Sequence, residues 1–294
     1  MTIPADDPPL PIRAAVAQAA ERLSLAGVPD PSVDAELLLA HLRGDSRGGV
    51  QAATVRGDLL AGADAAAFAA LVERRAAREP LQHITGAAYF RHLALSVGPG
   101  VFVPRPETET VAQLAIDALR ADPAPSPIGV DLGTGSGAIA FSLATEVPHA
   151  RVFAAERSPE AFAWAARNAA AVGADNVRIV LADLADAFAD LDGTVSVVVS
   201  NPPYVPDDAV PRDPEVRLHD PAAALYGGPD GLDVVRVLSG VAARLLRPGG
   251  VLVIEHGEWQ GAPVRELLAA DGWRATATHP DLTLRDRATT AVRP

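Results

Sequence analysis

The stretch "VDLGTGSGAIA", residues 130–140, decides the reading of this 294-residue chain. An apolar run ends in Asp131 and Leu132, three glycines follow at alternate positions, and small and apolar residues then resume at helical spacing. That order is a strand, a tight turn and a helix start, the context in which a glycine-rich loop holds a nucleotide. Gly133 and Gly135 let the backbone turn and come close to a ligand where a Cβ would intrude. The helix beginning near Gly137 offers its free N–H groups.

Working outward, short apolar runs alternate with helical stretches. Strands are expected at 128–132, 151–156, 177–182, 195–200 and 251–256, with helices near 137–146, 159–172 and 232–246. Short apolar strands separated by helices imply βαβ units with right-handed crossovers and a mainly parallel sheet. Residues 11 to about 80 read differently. They are rich in Ala, Leu and Arg, and Phe68, Leu71 and Val72 share one face of a helical period. A small helical domain is therefore expected over 1–80. In 81–105 glycines and prolines interrupt alternating apolar residues, which favours a hairpin linker, and 106–294 forms the larger domain.

Composition narrows the classes. With 49% hydrophobic and 21% charged residues the chain is globular, and its formal charge of −12 disfavours a protein whose main task is gripping duplex nucleic acid. The absence of cysteine removes disulfides and thiolate chemistry, and the seven histidines show no metal-binding spacing, so no metal is expected. The opening "MTIPADDPPLPIR" lacks the cationic start of a signal peptide, and no apolar run is long enough to span a bilayer. A cytoplasmic protein is expected.

Two strand ends carry the chemistry. Glu156 closes the second strand, where an acid can accept hydrogen bonds from both ribose hydroxyls of an adenosine. Gly133, Gly135 and Ala138 also fit a dinucleotide fingerprint. Asp131 favours S-adenosylmethionine, because a carboxylate there meets the cationic methionine end and would repel a pyrophosphate. Asp183, closing the third strand, can accept from the adenine amino group or serve only as a turn aspartate. At the fourth strand end stands "NPPY". A planar NH2 is a poor nucleophile until its lone pair is localised. The Asn201 side-chain oxygen and the Pro202 carbonyl can take its two N–H protons, proline fixes the directions, and Tyr204 can stack on the flat group. No strong base is obligatory, since the nitrogen becomes acidic once alkylated.

The stretches "REPLQHITGAAYF", "VFVPRPETE", "DLGTGSGAIA", "SNPPYV", "DPAAALYGGPDGLDVVR" and "LLRPGGVLVIEHGEWQ" together resemble the bacterial protein-(glutamine-N5) methyltransferases that modify peptide chain release factors, from about residue 30 to the end. The resemblance implies an α/β class I (Rossmann-like) S-adenosylmethionine-dependent methyltransferase domain. Its seven-stranded sheet would end in a hairpin with an antiparallel strand, and a helical N-terminal domain would recognise the protein substrate. It further implies donor contacts from Gly133, Thr134, Gly135, Ser136, Gly137, Glu156, Asp183, Leu184 and Asn201, beside the Asp131 read above from its charge, with Phe102 and Arg105 lining the donor pocket. Asn201, Pro202, Pro203 and Tyr204 would hold the substrate glutamine, that of the Gly-Gly-Gln loop.

The chain departs from the family at Glu156 and Asp220, and in lacking a glycine before Arg285. The expected enzyme is a monomer acting on release factors, without stable nucleic-acid or membrane binding. An adenine-N6 methyltransferase, a glutamine methyltransferase acting on a ribosomal protein, a nicotinamide-dependent oxidoreductase and a non-catalytic binding module are the other readings. Arg105 is expected to pair with Glu107 or Glu109, "GGPDGLD" to form a turn and helix cap, and His256 and Trp259 to be packing residues.

Overall fold

A computed structural model describes residues 9–294; most of the acidic, proline-rich opening lies outside the described residues. The chain divides into two units, one running to Gly86 and including Pro211–His219, the other comprising Ala87–Val210 and Asp220–Pro294.

In the first unit, a short pair of strands, β1 (Leu10–Pro11) and β2 (Leu59–Leu60), brackets α1 (Ile12–Leu25), α2 (Pro31–Arg43) and α3 (Arg47–Arg56), and α4 (Gly62–Ala76) and α5 (Leu81–Thr85) follow. Local chemistry sets the ends of these helices. Pro31 occupies the first turn of α2, Ser46 caps α3 by accepting from the Gly49 N–H at 3.0 Å, and Gly44 and Gly57 close α2 and α3 in the left-handed conformation. Ile12, Leu23, Leu38, Leu39, Val50, Phe68 and Val72 fill the core.

Two features depart from the expected boundaries. Leu81–Thr85 is helical where a hairpin was expected, because Pro80 starts a turn that Gly86 ends in the left-handed region. Residues Pro211–His219, expected within the larger domain, pack with the helices instead. Their anchor is Glu215, which accepts from Arg75 Nη1 at 2.6 Å and from Arg78 Nη2 at 2.5 Å, while Arg75 Nε donates to Asp34 at 2.7 Å. Burial opposes ionisation of Glu215, but hydrogen bonds with Asp213, Arg78 and Arg75 prevail and hold its carboxyl down to about 2.

The second unit opens with the hairpin β3 (Ala87–Phe90) and β4 (Leu93–Ser96), then α6 (Thr108–Ala121), β5 (Ile128–Leu132), α7 (Ala138–Glu146), β6 (Arg151–Glu156), α8 (Pro159–Val172), β7 (Val177–Leu181) and β8 (Val195–Ser200). After the excursion through α9 (Pro214–His219) it continues with α10 (Ala222–Leu225), α11 (Asp233–Leu245), β9 (Leu246–Glu255), α12 (Gly261–Ala270), β10 (Arg274–Pro280) and β11 (Asp286–Val292). One seven-stranded sheet runs β10-β11-β9-β8-β5-β6-β7, with β11 alone antiparallel to its neighbours. The α/β architecture and the antiparallel final hairpin agree with the expectation.

Both faces of the sheet are covered. Val130, Leu132, Val198, Leu252 and Ile254 enter one core while Val197, Val199 and Val253 enter the other, as the period of two requires. Five strands were legible as apolar runs for this reason. The mixed, partly exposed β10 and β11 were not.

Leu284 stands immediately before Arg285, where a glycine is expected from the sequence. It takes φ +64 and is 85% exposed, in the tight loop between β10 and β11. A Cβ in this region of backbone space is strained, and no burial offsets the strain. Leu284→Gly should therefore raise the stability of the full chain by about 1 kcal/mol in denaturant unfolding. A second expectation concerns Glu215. Since its folded carboxyl titrates below the unfolded one, its contribution is present above about pH 4.5 and lost as pH falls towards 2. Glu215→Gln should weaken the helical unit by about 3 kcal/mol at neutral pH in urea denaturation followed by circular dichroism, because Arg75 keeps only Asp34 as a charged partner and Arg78 loses its carboxylate, and by less at pH 3, where part of the ionisation advantage is already gone.

Candidate active site

Parallel pairing aligns the carboxyl ends of β6, β5, β8 and β9. Leu132 lies opposite Ala155 and Asp131 opposite Val199, so Glu156, Gly133 and Asn201 emerge along one edge of the sheet. Ser200 Oγ donates to the Leu132 carbonyl at 2.6 Å, which ties the start of NPPY to the start of the glycine loop.

Gly133, Gly135 and Gly137 all have positive φ, so side chains are disfavoured throughout the loop. They differ in their surroundings. A Cβ on Gly133 or Gly135 would meet nothing within 4 Å, whereas one on Gly137 would lie 2.0 Å from Phe141 Cε2. Gly137 thus serves packing at the start of α7, while Gly133 and Gly135 border open space that a ligand can approach. Thr134 Oγ1 donates to Asp131 Oδ2 at 2.6 Å, as does the Ala140 N–H at 3.1 Å. Ser136 offers its carbonyl to Asn168 Nδ2 at 2.9 Å, and Asn168 also holds both backbone polar groups of Ser96.

The two acids beside the glycine loop differ in saturation. Glu156 accepts from the Gly135 N–H and the Ser158 N–H, each at 2.8 Å, one on each oxygen. Further lone pairs remain on both oxygens. Asp131 is 1% exposed, and its Oδ1 has no hydrogen-bond partner among the described residues. Burial pushes its carboxyl up to about 7, against the hydrogen bonds from Thr134 and Ala140, with the Glu156 charge adding to the rise. A buried carboxylate oxygen without a donor suits a cationic ligand group. Asp183 is exposed and accepts from the Ala185 N–H at 3.0 Å, an aspartate turn that leaves its second oxygen to solvent, and Leu184 follows half-buried.

At the end of β8, Asn201 is half-buried and donates from Nδ2 to Thr108 Oγ1 at 3.3 Å. Pro202 is buried and Pro203 partly so. The Tyr204 hydroxyl lies 3.5 Å from Glu255 Oε1, and burial followed by the Glu255 charge pushes the phenol above its ordinary range. The backbone of the motif is braced from outside. Gln260 Nε2 donates to the Tyr204 carbonyl at 3.0 Å, and the Val205 N–H donates to Leu225 O at 2.8 Å. The "GGPDGLD" loop is more than a turn and helix cap. A Cβ on Gly227 would fall 2.4 Å from the Pro203 carbonyl oxygen and one on Gly231 2.2 Å from that of Tyr204, so these glycines let the loop lie against the motif.

Arg105 pairs with Asp220 Oδ2 at 2.6 Å, not with Glu107 or Glu109, and its guanidinium stands 4.8 Å over the Phe102 ring. Glu109 instead accepts from the Arg91 N–H at 3.0 Å. His256 is a packing residue as expected, fully buried and bonded to Gly257 O and Thr289 Oγ1. Trp259 is not: it is 84% exposed, because it lies in the turn between β9 and α12 rather than on either element.

Comparison with known proteins fits this arrangement. The PrmC N-terminal domain profile matches residues 14–86, and the methyltransferase small domain profile matches residues 93–224. A release factor glutamine methyltransferase of Streptomyces coelicolor is 52% identical, over 95% of this chain and 96% of its own length. The chain belongs to the release factor glutamine methyltransferase family. Methyltransferases of this family draw the methyl group from S-adenosylmethionine. A 4-amino-L-phenylalanine/4-methylamino-L-phenylalanine methyltransferase of Streptomyces pristinaespiralis is 46% identical over 81% of this chain and 82% of its own. Among solved structures, the hMettl16 catalytic domain in complex with an RNA hairpin superposes with a TM-score of 0.55 at 15% identity, over 80% of this chain and 84% of that one, a likeness of fold alone.

In this member of the family, sequence reading missed Thr108, Asn168, Glu255 and Gln260. Glu255 had a signal available: it closes the apolar run "VLVIE" as Glu156 closes "VFAAE". Asp131 yields the prediction of this site. Its folded carboxyl is raised, so the folded state holds a proton that the unfolded chain has released, and stability falls as pH rises from about 4 towards 7. Asp131→Asn keeps an acceptor for Thr134 and Ala140 while removing the buried charge. At pH 8 the variant without donor should be more stable than wild type by on the order of 1 kcal/mol in thermal unfolding, yet bind S-adenosylmethionine more weakly in calorimetry.

Proposed function

We propose that this protein transfers the methyl group of S-adenosylmethionine to the side-chain amide nitrogen of the glutamine in the Gly-Gly-Gln loop of a peptide chain release factor. One observation carries the reading: identity to release factor glutamine methyltransferases extends over nearly the whole chain, helical unit and catalytic unit alike. The donor residues fit the group. Gly133 and Gly135 leave room for its backbone approach, Glu156 has lone pairs for the ribose hydroxyls, and the free Oδ1 of Asp131 suits the cationic methionine end. When bound, the donor supplies a methyl carbon on a positively charged sulfur.

The remaining work falls to the acceptor motif. Asn201 Oδ1 and the Pro202 carbonyl accept the two amide protons and draw the nitrogen out of conjugation, an interaction stronger in the transition state than in the ground state. Tyr204 presents its ring to the flat amide and orients it. Small residues beside the target glutamine let a backbone enter the narrow site. This reading implies work in the cytoplasm; no helix among the described residues is long and apolar enough to cross a membrane.

The similarity to an enzyme named for an aromatic amine supports a second acceptor of the same geometry, 4-amino-L-phenylalanine. Incubation with labelled donor and purified release factor, followed by mass spectrometry, should place one methyl group on the Gly-Gly-Gln glutamine, and an alkyl replacement of that glutamine should abolish it. Tyr204→Ala should lower kcat by about tenfold or more while leaving donor affinity nearly unchanged, whereas Asn201→Ala reduces both. Methylation of adenine in DNA, of a ribosomal protein or of the free amino acid, with the release factor untouched, would replace this assignment.

A further inference from the structure

Helix α8 buries Ala161, Ala165 and Asn168, spaced i, i+4 and i+7 along one face. Two of them are small and apolar, but the third is an amide, 1% exposed. A buried amide is costly unless its polar atoms are matched, and here they are. Asn168 Oδ1 accepts the Ser96 N–H at 2.7 Å, and Nδ2 donates to the Ser96 carbonyl at 3.0 Å and to the Ser136 carbonyl at 2.9 Å. Turning the amide over would set Oδ1 against two carbonyl oxygens and the NH2 against an N–H, so the network fixes its orientation.

Ser136 lies in the glycine loop, whose other backbone bonds are local. The Gly133 and Thr134 N–H groups donate to the Ala155 carbonyl at 2.9 and 3.0 Å, the Gly135 N–H to Glu156 at 2.8 Å, and the Gly137 N–H to the Thr134 carbonyl at 2.9 Å. These partners belong to the loop itself or to β6 beside it. Asn168 adds a tether from a different element, α8. It holds the Ser136–Gly137 peptide from its carbonyl side while Thr134 holds it from its N–H side. Glycines have more backbone freedom to lose than other residues, so each peptide held in advance lowers the cost of ordering the loop around a ligand.

On its other side Asn168 grips the last residue of β4, from which the chain runs on to Phe102 and Arg105. That segment lies along the same helix. Val97, Val101 and Val103 are buried with Ala161, Trp164 Nε1 donates to the Pro99 carbonyl at 3.1 Å, and a Cβ on Gly98 would fall 2.6 Å from Trp164 Cζ2. Resting on the donor site of the proposed methyl transfer, we infer that Asn168 is a positioning residue for S-adenosylmethionine. It holds the Ser136 side of the glycine loop in its binding shape and ties that loop to the segment carrying Phe102 and Arg105.

Asn168→Asp tests this role, because the carboxylate can still accept the Ser96 N–H but has no proton for either carbonyl. Calorimetry with S-adenosylmethionine, on full-length protein shown to be folded by circular dichroism, should give a Kd at least about tenfold above wild type. In steady-state methylation of release factor the KM for the donor should rise to match, while kcat at saturating donor stays within about threefold. A smaller rise in Kd, whatever the loss of stability, makes Asn168 a packing residue and overturns the inference. The wild-type protein supplies a second measurement, which stands even if the variant fails to fold. In 15N NMR, adding S-adenosylhomocysteine should shift the Asn168 side-chain NH2 and slow hydrogen exchange at the Ser96 amide by about threefold or more, although Ser96 meets the loop only across Asn168. Signals from both residues unmoved by the ligand overturn the tie. A release factor left unmethylated by wild type overturns the substrate assignment instead, and calorimetry and NMR still decide the role of Asn168.

Discussion

The catalytic unit depends on one constraint, the parallel pairing of β5 with β6 on one side and β8 on the other. Parallel strands bring all their carboxyl ends to the same edge, where βα loops and helix N-termini collect. From that single arrangement come the glycine loop, the Glu156 carboxylate and the NPPY motif as neighbours, though they are separated in sequence. Antiparallel pairing would have sent alternate strand ends to the opposite edge. The Ser200 hydrogen bond to Leu132 then ties the NPPY motif to the glycine loop.

The acceptor motif depends on its surroundings more than its own four residues suggest. Two prolines limit the backbone, and neighbours brace it further: Gln260 donates to the Tyr204 carbonyl, Gly227 and Gly231 allow close approach to the Pro203 and Tyr204 carbonyls, and Thr108 accepts from the Asn201 amide. In the proposed reaction, preorganised dipoles of this kind would need no reorientation as charge develops on the nitrogen. Two buried carboxylates, Asp131 and Glu255, stand at strand ends on either side of the NPPY strand, each with one oxygen lacking a partner among the described residues. Each is a cost to stability held in place by the packed sheet.

What the sequence disclosed follows from the range of the interactions involved. The strands at 128–132, 151–156 and 195–200 were legible because buried parallel strands are continuous apolar runs, and the glycine loop because its constraint is local. Helix ends at Ser46, Gly44 and Gly57 are equally local. The pairing of Arg105 with Asp220, across 115 residues, was not legible, since Glu107 and Glu109 were nearer in sequence. Thr108 looked like one more polar residue in "PRPETE" until α6 brought it behind Asn201. Trp259 was read as packing because tryptophans usually pack; only the turn that holds it outward shows otherwise.

The excursion of residues Pro211–His219 into the helical unit has a consequence for how such a protein can be divided. The chain leaves the catalytic unit at Val210, soon after Tyr204, and returns at Asp220, the partner of Arg105. The two units are thus joined by three covalent crossings rather than one. A recombination event with a single breakpoint near Gly86 would give a chimera in which Glu215 keeps its ion pairs only where the foreign helices themselves supply arginines at positions 75 and 78. Exchange of the helical unit between relatives therefore keeps these ion pairs only when two segments travel together, the second being nine residues inside the catalytic sequence that pair with a helix encoded well over a hundred residues upstream.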